Sequence, residues 1–233
     1  MLYPISENTN CTKVDDVHPS IVEIKNNHPD MALENFSFSE IDEEFVGKRI
    51  SRINVKKATG IDGISPKLLH FAKPVITKPL TNIVNLAITW STFPARLKEA
   101  QVAPVHKKNS VLEAGNYRPV SVLPAISKIF ENSLEIQLVK YFDKIFNPFL
   151  AAFRSRFGCQ SILLRVIEDW KKAVDKNEYL AAILMDLSKG FDCLPHDLLL
   201  MKLKAYGLSQ SALEMQSSYL TNRKKCVKIL VIY

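Results

Sequence analysis

The stretch YLAAILMDLSKGFD, Tyr179 to Asp192, holds two aspartates six residues apart, and the first, Asp186, closes a continuous apolar run. An ionised carboxylate is costly to bury without a counter-charge or hydrogen-bond donors. Three arrangements relieve that cost. Asp186 can cap the turn suggested by Ser188, Lys189 and Gly190, it can pair with a lysine or arginine, or it can hold a divalent cation through hard carboxylate oxygens. Other chemistries find less support. The five histidines do not cluster with cysteine or acids, and no Ser-His-Asp or Gly-x-Ser-x-Gly arrangement occurs. The four cysteines are far apart and form no Cys-x-x-Cys pair, which suggests neither a zinc site nor a disulfide framework.

The elements that must position these aspartates follow from periodicity. The run Leu180–Met185 shows no alternation, so a strand over Tyr179–Leu187, buried on both faces, is expected. Helices are expected after a Ser39 cap, with Ile41, Phe45, Ile50 and Ile53 on one side, and after the pair Ser65-Pro66, with a break near Pro74 and a second run from Val75 to Trp90. Further helices are expected over Pro124–Phe142, Gln160–Asn177, His196–Tyr206 and Ser209–Thr221, with Gly207 dividing the last two. QVAPVHKK and the run after Gly115-Asn116 read as strands.

Charge is uneven. The formal net charge is +7, yet through Val46 two lysines stand against ten acids, and the remainder carries a net +15. A basic body with an acidic lead-in fits a polyanion partner such as nucleic acid, and equally an ordinary solvated surface. Hydrophobic residues at 47% fit a globular chain that can bury a core. No apolar run is long enough to span a membrane, and no secretory leader pattern opens the chain. The expected setting is intracellular, nucleus or cytoplasm, not secreted, with no membrane and no disulfide partner.

The segment MDLSKGFDCLPHDLLLMKLKAYGL resembles the first catalytic carboxylate motif of reverse transcriptases from non-LTR retrotransposons, the LINE and jockey-like elements. Three more segments are similar to that family in order and spacing: KKATGIDGISPKLL, VAPVHKK with GNYRPVSVLPAISKIFE, and AAFRSRFGCQSILL. The resemblance implies an α+β fold, with helix-rich fingers and the start of a polymerase palm, and RNA-directed DNA polymerase chemistry by two-metal nucleotidyl transfer. It implies Mg²⁺ as cofactor, and an RNA template, a DNA primer and deoxynucleotides as partners. It makes Asp186 the catalytic metal ligand, with the Leu187 carbonyl as a further metal contact. It makes Phe191 a gate under the incoming sugar, Asp192 a brace of the loop, and Lys107 and Arg118 the grip on the triphosphate, with Lys108 an alternative for the lysine. Arg154, Arg156 and Lys57 become template-side contacts. Each also has a plainer reading: a core phenylalanine, a turn aspartate, solvated cations.

The resemblance divides the chain into an irregular acidic arm at 1–35, a fingers-like part at 36–178 and a first, incomplete palm segment at 179–233. The family's later Pro-Gln-Gly segment and Tyr-x-Asp-Asp hairpin do not occur in these residues. The expectation is a chain truncated before its catalytic hairpin and inactive alone, with a non-catalytic nucleic-acid-binding remnant as the alternative. Ala152 stands where glycine is usual, a strained choice if that position needs a positive φ.

Overall fold

The computed structural model describes residues 2–4, 18–33, 35–155, 157–186 and 194–227. The elements are β1 (Leu2–Pro4), α1 (Pro19–Asn27), α2 (Glu43–Arg52), α3 (Pro66–Thr89), β2 (Glu99–His106), β3 (Tyr117–Val122), α4 (Ala125–Phe142), α5 (Cys159–Asp175), α6 (His196–Ala205), α7 (Gln210–Leu220) and β4 (Lys224–Val227). The class is α+β, as expected. Contacts group the residues into two units, Met1–Gln137 with Pro195–Tyr233, and Leu138–Leu194.

In the first unit, amphipathic helices build one core. Val46 and Ile50 of α2 lie one turn apart and meet Leu69, Leu80, Val84 and Ile88 of α3, with Ile129, Phe130 and Leu134 of α4 and Met215 of α7. The Asp42 carboxylate, rather than Ser39, caps α2 by accepting from the Phe45 amide at 2.6 Å. Ser65 caps α3 and Pro66 opens it. The expected break at Pro74 does not occur, and α3 runs unbroken through Pro74 and Pro79. Both prolines are exposed, so water can reach the carbonyls of His70 and Val75 that lose their helical donors. The buried face of α3 then holds the helix together against that loss.

The expected irregular arm is also corrected in part. Pro19–Asn27 is helical, and its Ile21 and Ile24 pack on Ala205 of α6. The sheet order is β1-β4-β2-β3, with β4 parallel to β2 and the other pairs antiparallel.

The second unit contains the largest departure from expectation. Residues 179–186 form no strand and are exposed, with Ile183 at 86% and Leu184 at 92%. Strand propensity names no ladder partner, and no described strand pairs with this run. Helix α5 forms as expected, yet none of its residues is buried.

Candidate functional site

The β2–β3 hairpin carries two of the expected cations. Its ladder pairs Val105 with Arg118 and His106 with Tyr117, and the Lys107 amide donates to the Asn116 carbonyl at 2.8 Å. Lys107 therefore opposes Asn116, two residues before Arg118. Lys107 thus follows the last residue of β2, and Arg118 is the second residue of β3, so the hairpin holds the two at neighbouring positions. Both are exposed, and neither has an ion-pair partner among the described residues. Lys108 is exposed beside them.

The hairpin tip is tied by its own polar groups. Asn116 Nδ2 donates to the Ser110 carbonyl at 2.8 Å and to Glu113 Oε2 at 3.1 Å, and the Tyr117 hydroxyl donates to the Val111 carbonyl at 2.8 Å. The His106 and Tyr117 rings meet edge to face at 5.3 Å. A pair of exposed cations on a braced hairpin, whose Glu113 carboxylate is engaged by Asn116, can receive phosphate oxygens, the lysine as a point charge and the arginine as a planar fork.

Lys57 lies on a second loop of the same unit. Asn54 folds that loop back, accepting from the Lys56 amide with its side chain and from the Lys57 amide with its carbonyl. Asp62 accepts from the Ile64 amide at 3.3 Å, which makes it a turn residue here. Gly60 is required where it stands. A Cβ there would lie 2.8 Å from the Pro124 nitrogen and Cα. That close approach seats the loop on the start of α4 and leaves Lys57 exposed. A cleft of about 600 Å³ separates residues 59–63 from Gln101 of β2 and Cys226 and Val227 of β4.

In the second unit, Arg154 is not a free cation. Its guanidinium meets Asp143 Oδ1 at 3.2 Å, donates at 3.4 Å to the carbonyls of Asn147 and Leu150, and lies 4.5 Å from the centre of the Phe157 ring. Its side chain is 14% exposed. These contacts make it the brace of the loop from Asp143 to Phe157. The left-handed residue in that loop is Phe153, at φ 61°, and not Ala152. Asp186 is exposed, with no hydrogen-bond or ion-pair partner among the described residues. The readings placed on Leu187, Phe191, Asp192 and Arg156 fall outside the described residues. Among the described residues, no group of three His, Cys, Asp or Glu side chains could hold a metal ion. One exposed carboxylate has the right oxygen chemistry for a hard cation but does not make a site.

Sequence reasoning missed a polar cluster at the starts of β2 and β4. Glu131 of α4 accepts from the Tyr219 hydroxyl at 3.2 Å and the Ser127 hydroxyl at 3.3 Å, and Arg223 NH2 lies 3.9 Å from the same oxygen. Arg223 also donates to the Tyr219 carbonyl at 3.0 Å. Lys98, 5% exposed, donates to the Ser218 carbonyl at 2.8 Å. Burial raises the Glu131 carboxyl above the usual range, against the pull of Arg223, Tyr219, Ser127 and Lys128. Burial, then Arg223, lowers the Lys98 ammonium, while burial, then Glu131, raises the Tyr219 phenol. The partners are about ninety positions apart in the chain, so no local pattern announces them.

Comparison with known proteins gives this geometry a context. Residues 105–230 match the family described as reverse transcriptase (RNA-dependent DNA polymerase). The chain is similar to the RNA-directed DNA polymerase from mobile element jockey of Drosophila melanogaster, 29% identical over 69% of this chain and 18% of that relative. It is also similar to the probable RNA-directed DNA polymerase from transposon X-element of the same fly, 29% identical over 79% of this chain and 21% of the relative. The corresponding protein from transposon BS is 28% identical over 73% and 20%. The chain thus spans about a fifth of the length of these curated relatives. No described helix is long and apolar enough to cross a membrane.

Proposed function

From its membership of the reverse transcriptase family, to which this chain belongs, we infer that these residues supply template and nucleotide contacts of an RNA-directed DNA polymerase of the non-LTR retrotransposon kind. The observation that carries the reading is the exposed pair Lys107 and Arg118 at neighbouring positions of a braced hairpin. In this reading the two cations take the triphosphate oxygens of an incoming deoxynucleotide, with a DNA primer and an RNA template as the other partners. Lys57, on a loop seated by Gly60, meets template phosphate. Arg154 serves the template side by fixing its own loop, and Arg156 keeps the direct contact. Such phosphate contacts are independent of sequence and weaken with salt.

Divalent-metal use is general in the family, and Mg²⁺ is the ion we propose for it. Asp186 with the Leu187 carbonyl is the proposed ligand set, Phe191 the proposed sugar gate and Asp192 the proposed brace. The described residues do not by themselves form a metal site, so no chemical step is assigned through the ion. The 233 residues also contain no Tyr-x-Asp-Asp sequence for a second set of carboxylates. This chain alone is therefore expected to bind without polymerising.

Two measurements test these statements. Binding of a labelled deoxynucleoside triphosphate is expected to weaken with salt, and Lys107→Ala with Arg118→Ala to flatten the logarithmic salt slope. Equal slopes for wild type and the double variant would overturn the phosphate reading. Primer extension on an RNA template with Mg²⁺ is expected to give no product. Extension that disappears in Asp186→Ala would instead show the chain to be catalytic alone.

A further inference from the structure

The cluster at the starts of β2 and β4 has no role in the reading above, although it holds Lys98, the one buried charged residue among the described residues. It joins four pieces of chain. Glu131 comes from α4, Tyr219 and Ser218 from α7, Arg223 from the lead-in to β4, and Lys98 from the residue before β2. Its apolar side is equally ordered. Phe93 meets Phe130 at 4.5 Å and Tyr219 at 5.0 Å, both edge to face, and its amide donates to the Ser218 hydroxyl at 3.0 Å. The Arg223 guanidinium lies 4.6 Å from the centre of the Tyr219 ring.

The position of the pair along the chain matters. Arg223 immediately precedes Lys224, the first residue of β4, and Lys224 pairs in parallel with Glu99, which immediately follows Lys98. A parallel ladder needs its strands brought together by distant chain, because no hairpin sets its register. Among the described residues the ladder between β2 and β4 has four Cα pairs, Glu99↔Lys224 to Val102↔Val227. Both strands start from residues fixed in this cluster. The Lys224–Glu99 ion pair at 3.9 Å lies at the ladder's first rung, with the lysine more than half exposed, so screening leaves it little to contribute.

We propose that Glu131 is a positioning residue: by holding Arg223 it sets strand β4 in register beside β2, and so orders the sheet from which the Lys107–Arg118 hairpin projects. A half-buried carboxylate that burial makes more reluctant to ionise is a poor source of stability, because desolvation outweighs what Arg223 and the hydroxyls return. Its geometric effect is definite. One oxygen accepts from the Tyr219 and Ser127 hydroxyls and lies at ion-pair distance, 3.9 Å, from Arg223, and an arginine fork that also donates to the Tyr219 carbonyl has little freedom to shift by a residue. A one-residue shift of β4 would move Arg223 away from Glu131 and turn its side chains to the opposite face.

The test is amide hydrogen exchange on the whole chain, comparing β4 amides with α2 amides as an internal reference. Glu131→Ala and Arg223→Ala are each expected to speed exchange in β4 at least tenfold and leave α2 unchanged. The double variant is expected to be no faster than the worse single variant, because each residue acts through the other. Glu131→Gln, which keeps an acceptor for Tyr219 and Ser127 and loses the charge, is expected to fall between wild type and Glu131→Ala. It carries the test if the alanine variant does not fold. Unchanged β4 exchange, or effects that simply add in the double variant, would overturn the proposal. The bearing on phosphate binding rests on the reading above. If β4 loosens while Lys107→Ala with Arg118→Ala binds the labelled deoxynucleoside triphosphate as wild type does, the phosphate reading fails and the positioning role stands.

Discussion

Two amphipathic helices of similar length, α4 and α5, meet opposite fates. In the first unit, the buried face of α4 places Ile129, Phe130 and Leu134 in a core shared with α2, α3 and α7. In the second, α5 carries Leu163, Leu164, Ile167, Trp170 and Val174 on one side and buries none of its residues. The run that follows it, Leu180 to Met185, is as apolar as a sheet interior and is exposed. Periodicity specifies a face, and only a partner surface buries it. The expected grip, Lys107 and Arg118, stands on the packed unit, whereas the expected carboxylate, Asp186, ends the unpacked run.

Packing contrasts of this kind predict a steep gradient of mutational cost. Phe130→Ala should destabilise the first unit by about 3–5 kcal/mol, the range for emptying a filled aromatic site, as read by urea denaturation. Leu163→Ala on α5 should change stability by about 0.5 kcal/mol or less. Equal effects would erase the distinction between the two regions. Next in size is glycine substitution. Gly60→Ala must push a Cβ into the Pro124 backbone and should cost about 1–3 kcal/mol, whereas Gly158→Ala meets nothing within 4 Å and should cost less than about 1 kcal/mol. Limited chymotrypsin digestion offers a third check. Cleavage at Tyr179 and Leu184 should precede any cleavage within α3, because exposed, unpaired backbone is cut first.

The smallest expected effect is the pH dependence of the packed unit. The Glu131 carboxyl is raised in the folded state, so the native chain holds that proton more tightly than the unfolded one. Its contribution is complete below the unfolded carboxylate value and is lost as pH rises through the folded one. Relative to Glu131→Gln, the wild type should therefore lose stability as pH is raised from the acid side through the carboxylate range. The opposite slope in paired thermal melts would mean that Arg223 outweighs burial.

Much of this molecule is legible residue by residue. The helices α4, α5, α6 and α7 begin and end within two residues of where spacing and capping place them. The β2–β3 hairpin follows from two β-prone runs around Gly115-Asn116, and it carries both Lys107 and Arg118. Local signals also misled, at the Ser39 cap, in the N-terminal arm and in two further places. Pro74 suggested a break that the packed side of α3 overrides, and the run 179–187 suggested a strand without naming a neighbour.

What the sequence determined by itself was the family, the helical faces and the cations of the hairpin, because these reside in local order and in motifs read along the chain. The tertiary structure alone decided that β4 lies parallel to β2 and that Glu131, Tyr219 and Arg223 converge. Those outcomes depend on groups far apart in the chain competing for the same burial and the same hydrogen bonds, and that competition is resolved only when the whole core closes.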